Sequence, residues 1–106
     1  MSEHIHKRHN KSLLLYHLVC PVKYRKGTIT EPVGNTIKET CLEIEKRYEM
    51  IFVEIGIDTD HVHFLIKSVP TMAPSDIVQS IKSILAKQIF KYHPFVKEVL
   101  WGGQFW

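Results

Sequence analysis

The stretch that decides the fold is Val53-Glu54-Ile55-Gly56-Ile57-Asp58-Thr59-Asp60-His61-Val62-His63-Phe64-Leu65-Ile66, in which two alternating apolar runs flank a polar turn. Strand side chains point alternately to the two faces of a sheet. The pattern therefore predicts two antiparallel strands, over residues 50–57 and 61–69, joined by a tight hairpin turn. We expect one buried face to hold Val53, Ile55, Ile57, Val62, Phe64 and Ile66.

The length of the turn leaves two registers open. A loop at Asp58-Thr59 pairs Gly56 with His61 and Glu54 with His63, whereas a loop at Thr59-Asp60 pairs Gly56 with His63. In both registers Gly56 and Glu54 share the face of the two histidines. Gly56 would leave space there for a ligand backbone or a metal, and Glu54 is a candidate hydrogen-bond partner for an imidazole. The alternatives are an ordinary strand glycine and a solvated carboxylate.

Outside this hairpin, apolar periodicity predicts four further elements. They are a strand over residues 12–25, an amphipathic helix over 33–48, a helix capped by Ser75 that stops before Pro94, and a bent strand over 96–106. The order strand-helix-strand-strand-helix-strand fits an α+β, ferredoxin-like (RRM-like) plan, with an antiparallel sheet and two helices on one face. The other face stays open, and function is expected there.

Length and composition fit one globular domain. The chain has 106 residues, 44% hydrophobic and 24% charged, and we divide it into a polar, His-rich tail (1–11, with His4, His6 and His9) and a domain over 12–106. The net charge of +3 permits a nucleic-acid partner without requiring one. No apolar run is long enough for a membrane span, and the N-terminus is no signal sequence, so a cytoplasmic protein is expected. Cys20 and Cys41 are interpreted as buried, reduced thiols.

His61 and His63 are candidate metal ligands. Two positions along a strand set their Cα atoms about 6.6 Å apart on one face, which lets both rings reach a single cation. A His-x-His pair also arises by chance, and the interpretation depends on its placement after a tight turn on the open face. The cluster Lys23-Tyr24-Arg25-Lys26 is a candidate phosphate-binding edge with a base-stacking tyrosine, or else a solvated strand end; Lys67 and Lys82 are weaker DNA-binding candidates.

These residues also resemble a known family. His61-Val62-His63 looks like the HUH motif (His, hydrophobic, His), and the context is similar to the single-tyrosine transposases of the IS200/IS605 insertion-sequence group. The matching pieces are, in order, Tyr16-His17-Leu18-Val19 followed by Lys23-Tyr24-Arg25, Asp60-His61-Val62-His63-Phe64-Leu65, Pro74-Ser75 with Ile81-Lys82, and Leu100-Trp101-Gly102-Gly103-Gln104-Phe105-Trp106.

The resemblance implies a function in DNA transposition and recombination of a mobile element. It implies that His61 and His63 bind a divalent metal, Mg²⁺ or Mn²⁺, that single-stranded or hairpin DNA is the substrate, and that strands are cut and joined through a 5′-phosphotyrosine. It also implies a homodimer in which the tyrosine of one subunit serves the histidines of the other.

The chain departs from the family in one respect. The family nucleophile lies on a helix after the last strand, whereas this sequence ends at Trp106, so no catalytic tyrosine is assigned among Tyr16, Tyr24, Tyr48 and Tyr92. Whether the chain is an enzyme is left open. We expect the apolar end formed by Trp101, Phe105 and Trp106 to be exposed or paired with a second subunit. The alternatives are a non-catalytic DNA- or RNA-binding module, a competitive regulator of transposition, and a small metal-binding sensor.

Overall fold

The computed structural model describes residues 13–100 and 103–106 and has the α+β architecture expected from the sequence. Its strands form one antiparallel sheet in the order β1-β3-β2, so the strand with both histidines lies in the middle. The N-terminal tail, with His4, His6 and His9, and the pair Trp101-Gly102 lie outside the described residues. The elements in chain order are β1 (Leu14–Pro21), a 3₁₀ turn (Lys23–Arg25), α1 (Glu31–Arg47), β2 (Met50–Ile57), β3 (His61–Ser68), α2 (Pro74–Tyr92) and α3 (Pro94–Val99).

The core lies between one face of the sheet and the helices. On β3 the side chains of Val62, Phe64 and Ile66 are fully buried, while the intervening His61, His63 and Leu65 are only partly buried. Helices α1 and α2 contribute apolar residues at three- and four-residue spacings, the pattern of an amphipathic helix facing a core. The core residues on the two helices are Val33, Ile37, Cys41, Ile44, Ile77, Ile81, Leu85 and Ile89.

The hairpin adopts the second of the two registers. Gly56 pairs with His63 and Ile57 with Val62. The buried face of β2 differs from the expectation at one residue, because a bulge at Val53 shifts the register between Phe52 and Glu54. Phe52 therefore packs against the core in place of Val53, which is 50% exposed. An extra residue in one strand of a pair has this effect, since it reverses the faces of all side chains beyond it.

Both ends of the sheet prediction need correction. The first strand ends at Pro21, and Lys23–Arg25 forms a 3₁₀ turn in which Tyr24 and Arg25 have positive φ angles of 58° and 54°. The last strand is wrong: Pro94 opens the short helix α3, as a proline at the first helical position often does, and Leu100 caps it. Residues 103–106 add no strand, so the described sheet has three strands instead of four.

Two smaller expectations are also corrected. Helix α2 starts at Pro74 with Ala73 as its N-cap, so Ser75 lies inside the first turn and does not cap it. The apolar C-terminal end is covered: Phe105 is 1% exposed, and the indole N–H of Trp106 donates to the Lys82 carbonyl at 3.0 Å. Trp101 lies outside the described residues. None of the described helices is long and apolar enough to cross a bilayer.

Candidate functional site: the open face of the sheet

We call the sheet surface opposite the helices the open face. Strand pairing places side chains from all three strands there, because directly paired residues point to the same side. Val19 of β1 and Gly56 of β2 flank His63, and Pro21 pairs with His61. The residues that share this face by register are Leu15, His17, Val19, Glu54, Gly56, His61, His63, Leu65 and Lys67.

The ring of His63 occupies the space above Gly56. A Cβ atom added at Gly56 would lie 1.8 Å from His63 Nε2, far inside van der Waals contact. Gly56 was expected to leave space for a ligand; in the structure the imidazole of His63 fills that space. Gly56 therefore permits His63 to lie across the backbone of β2.

His61 is held by the residue before it. Its Nδ1 atom lies 2.8 Å from Asp60 Oδ1, and the other carboxylate oxygen, Oδ2, lies 3.4 Å from Arg25 Nε. The hydrogen bond with His61, with a smaller contribution from the Arg25 charge, lowers the pKa of the Asp60 carboxyl. With Nδ1 engaged, Nε2 is the nitrogen of His61 that can bind a ligand.

Glu54 does not take the role expected of it. It lies on the open face but pairs with Leu65, and no hydrogen bond or ion pair within residues 13–100 and 103–106 joins it to either histidine. Asp60 makes that contact with His61. The sequence feature that could have indicated this contact is the position of Asp60 directly before His61. Asp60 lies in a turn, however, and the sequence did not specify the geometry of that turn.

His17 is a further open-face residue that the sequence analysis missed. Its ring is edge-on to that of His63, with centroids 5.7 Å apart and planes perpendicular. Because side chains alternate along a strand, the sequence predicts that His17 and Val19 lie on the same face of β1. The contact between His17 and His63 depends in addition on the register between β1 and β3. In the described part of the chain, no three His, Cys, Asp or Glu side chains converge in a metal-binding arrangement.

The segment Lys23–Lys26, here called the basic turn, lies next to the hairpin that carries His61. The Val22 N–H donates to the Asp60 carbonyl at 2.8 Å, and the Lys23 N–H donates to the Phe105 carbonyl at 2.7 Å. Tyr24 is 74% exposed, with Lys23 Nζ 5.6 Å from its ring centroid.

The two isolated lysine candidates differ in position. Lys67 is exposed and shares the open face with His63, four residues further along β3. Lys82 lies on α2, in the helical layer on the other side of the sheet, where its carbonyl accepts the Trp106 indole. The structure thus brings together the basic turn, the histidines and Lys67, and leaves Lys82 apart.

Comparison with known proteins assigns the family. The family model described as "Transposase IS200 like" matches residues 10–106. The ISDra2 transposase TnpA of Deinococcus radiodurans is 33% identical over 93 residues, which cover 88% of this chain and 66% of that relative, so the chain spans slightly less than two thirds of its length. A crystal structure of a D. radiodurans protein assigned as a transposase superimposes with a TM-score of 0.82 at 28% identity, covering 90% of this chain and 73% of that one. The chain belongs to the IS200-like transposase family.

Proposed function

We propose that this chain is the DNA- and metal-binding core of a transposase that acts on single-stranded or hairpin DNA at the ends of a mobile element. The observation that carries the proposal is the geometry of β3, which presents His61 and His63 side by side on the uncovered face. Asp60 engages Nδ1 of His61. The ring of His63 lies over Gly56, and any side chain at position 56 would displace that ring.

The donor set suits a divalent metal that keeps open positions. His61 and His63 offer two neutral imidazoles, and in the described part of the chain no third protein ligand completes a cage. Water and phosphate oxygens would fill the remaining positions, as hard cations such as Mg²⁺ and Mn²⁺ require. A bound cation would neutralise charge on the phosphoryl oxygens of a nearby phosphodiester.

The residues of this chain would hold the DNA in place for the reaction implied by the family. In that reaction a tyrosine oxygen bonds to phosphorus, the bond from phosphorus to the 3′ oxygen breaks, and the 3′ hydroxyl leaves with a proton, giving a 5′-phosphotyrosine. Phosphate contacts would come from Lys23, Lys26 and Lys67, and Tyr24 would stack on an unpaired base. Its exposed ring supports that role.

Two finer expectations accompany this proposal. We propose a homodimer, in keeping with the family, and β1 is an edge strand of the described sheet with Leu15 and Val19 more than half exposed. We also propose that the protein acts in the cytoplasm, where the DNA of a mobile element would be its substrate. Size-exclusion chromatography with light scattering would test the dimer directly.

A second candidate is a DNA-binding module without catalysis, or a competitive regulator of transposition. It is favoured by the positions of two of the tyrosines. Tyr16 pairs with Ile66 on the core side of the sheet, and Tyr92 lies at the end of α2 in the helical layer. Neither is on the open face with His63.

One binding experiment tests the proposed function. Labelled hairpin, single-stranded and duplex DNA are titrated with the 106-residue chain by fluorescence anisotropy, and Mn²⁺ binding is measured separately by calorimetry. We expect preference for hairpin and single-stranded DNA, and Mn²⁺ binding that is lost in His63→Ala. A tail-deleted chain lacking residues 1–11 should keep the metal. Loss of Mn²⁺ with the tail, or equal affinity for all three DNAs, would contradict the proposal.

A further inference from the structure

We propose that Arg25 and Asp60 form a positioning pair for His61, so that the basic turn orients a metal ligand as well as contributing to the DNA interface. The inference rests on the proposed function in treating His61 as a ligand. It separates Arg25 from its neighbours in the basic turn, which the sequence treated as equivalent phosphate-binding cations.

The contacts form a short chain of three side chains. Arg25 Nε lies 3.4 Å from Asp60 Oδ2, and Asp60 Oδ1 lies 2.8 Å from His61 Nδ1. The two oxygens of one carboxylate therefore serve different partners. The side chains of Asp60 and His61 are only 30% and 29% exposed, so water competes less for their hydrogen bond than for the contact with Arg25, whose side chain is 59% exposed.

The backbone is built to make this contact. Among the non-glycine residues that the structure describes, Tyr24 and Arg25 are those with positive φ. A non-glycine residue in this region costs on the order of 1–3 kcal/mol and persists only where surrounding contacts hold it. Those contacts are present on both sides of the turn: Val22 N–H donates to Asp60, and Ile29 N–H donates to the Thr59 carbonyl at 2.9 Å.

The consequence for His61 follows from imidazole chemistry. A neutral imidazole carries its proton on one nitrogen, and a carboxylate facing Nδ1 keeps the proton there and leaves the Nε2 lone pair for a ligand. A carboxylate at a hairpin end can rotate, and the guanidinium restricts that rotation by holding the second oxygen. Replacing Arg25 should therefore change the tautomer of the His61 imidazole even with no DNA or metal present.

Matched variants separate this role from phosphate binding. Arg25→Gln and Lys23→Gln each remove one positive charge from the same turn, and only the first removes the contact with Asp60. The first measurement is the tautomer of His61, from ring ¹⁵N shifts in long-range ¹H–¹⁵N NMR spectra of the free protein at pH 8. The second is Mn²⁺ affinity by calorimetry, and the third is affinity for a labelled DNA hairpin.

We expect Arg25→Gln to move His61 from the Nδ1–H form toward a mixture and to weaken Mn²⁺ binding by up to about 10-fold, the lower end of the effect of losing a direct partner of a metal histidine, because Arg25 acts on His61 through Asp60. Asp60→Asn should act in the same direction. Lys23→Gln, and Asp58→Asn as the charge control for Asp60, should leave both quantities unchanged. Arg25→Lys should keep the charge and recover only part of the effect, since lysine lacks the planar fork.

An unchanged tautomer in Arg25→Gln would overturn the inference, as would equal changes in Arg25→Gln and Lys23→Gln. If Arg25→Gln fails to fold, judged by its amide spectrum, the comparison of Arg25→Lys with Lys23→Gln decides the same question. Should the wild-type chain bind neither Mn²⁺ nor DNA, the proposed function would fail. The tautomer measurement would still show whether Arg25 and Asp60 orient His61.

Discussion

The imidazole of His17 is edge-on to that of His63, with ring centroids 5.7 Å apart, although the two residues lie on different strands and far apart in sequence. The contact occurs on the open face, beside the ring that lies over Gly56. His63 is thus confined by a backbone on one side and a ring on another. Both contacts follow from the strand register, and each gives a prediction about metal binding.

Replacing His17 should loosen His63. An edge-to-face ring pair contributes about 0.5–1.5 kcal/mol beyond burial, so His17→Ala should weaken Mn²⁺ binding by roughly 2- to 10-fold, measured by calorimetry. His17→Phe keeps an aromatic ring and should restore most of the affinity. If His17→Phe binds as weakly as His17→Ala, a nitrogen of His17 matters and the ring contact alone does not explain the effect.

Replacing Gly56 should damage the site more than the fold. The alanine Cβ would lie 1.8 Å from Nε2 of His63, and the ring can escape by turning away from β2. We expect Gly56→Ala to lower Mn²⁺ affinity at least about 10-fold while the chain stays folded. Gly34→Ala is the control: its Cβ meets Ile57 atoms at 3.7 Å, an ordinary contact, and alanine in helix α1 should stabilise the protein by about 0.5–1 kcal/mol. Equal Mn²⁺ affinity in the two variants would contradict this account of Gly56.

The sequence predicted the elements with strong periodicity and failed where backbone geometry departs from it. The alternation in residues 50–66 predicted both hairpin strands, and the three- and four-residue spacings predicted α1 and α2. The bulge at Val53 was not predictable, because residues 50–53 are all apolar and their sequence does not show which of them face the core. Residues 96–106 were predicted to form a strand because they are apolar. Apolar content also fits a short helix, and in the structure such a helix begins at Pro94 and buries Val96, with Leu100 buried at its end.

The site was predictable only in part for the same reason. His61 and His63 share a face through local alternation, which the sequence carries directly. The contact of His17 with His63 and that of Arg25 with Asp60 depend on how β1 and the basic turn lie against β3. Spacing within one segment holds no information about those distances. Glu54 was therefore favoured over Asp60, which lay closer in sequence but inside a turn.

The two cysteines should make the stability depend on pH above about 9. Burial raises the pKa of the Cys20 thiol to about 11 and that of Cys41 to about 12. In the unfolded chain a thiol ionises near pH 9.0, so above that pH deprotonation favours the unfolded state until the folded thiols also ionise. Urea unfolding should show a loss of roughly 1.4 kcal/mol per thiol by pH 10. The Cys20→Ala/Cys41→Ala variant should be less stable at pH 8 but lose less on going to pH 10; an equal loss would contradict the prediction.

The basic turn should set the salt dependence of DNA binding. Each phosphate neutralised on a single strand contributes about 0.7 to the log–log slope of affinity against salt. Lys23→Gln/Lys26→Gln should therefore lower affinity for every sequence and flatten the slope by about 1.4, measured by anisotropy between 50 and 200 mM salt. Lys46→Gln/Lys97→Gln removes the same charge from α1 and α3 and leaves the basic turn unchanged. Similar slopes for the two double variants would place the DNA elsewhere.

The last prediction concerns covalent chemistry, and it is negative for the tyrosines of this chain. A phosphotyrosine bond requires the phenol oxygen about 3–3.5 Å from phosphorus and in line with the leaving oxygen. Tyr16 and Tyr48 pack against the hydrophobic core, on the side of the sheet that faces the helices. Tyr92 is the last residue of α2, in the helical layer. Tyr24 is exposed, but it lies in a turn anchored by hydrogen bonds from the Val22 and Lys23 backbone N–H groups, and we do not expect its phenol oxygen to reach a phosphate at His63.

Correct positioning supplies up to about 7–11 kcal/mol in such displacements, so a misplaced phenol should give no turnover. Incubating the 106-residue chain with labelled single-stranded DNA and Mn²⁺ should leave no covalent band on a denaturing gel. Fusing a helix with a tyrosine after Trp106, as the family resemblance suggests, should produce one, and the band should disappear in His61→Ala and His63→Ala. A band from the unfused chain that disappears in Tyr24→Phe would make Tyr24 a nucleophile and contradict the prediction.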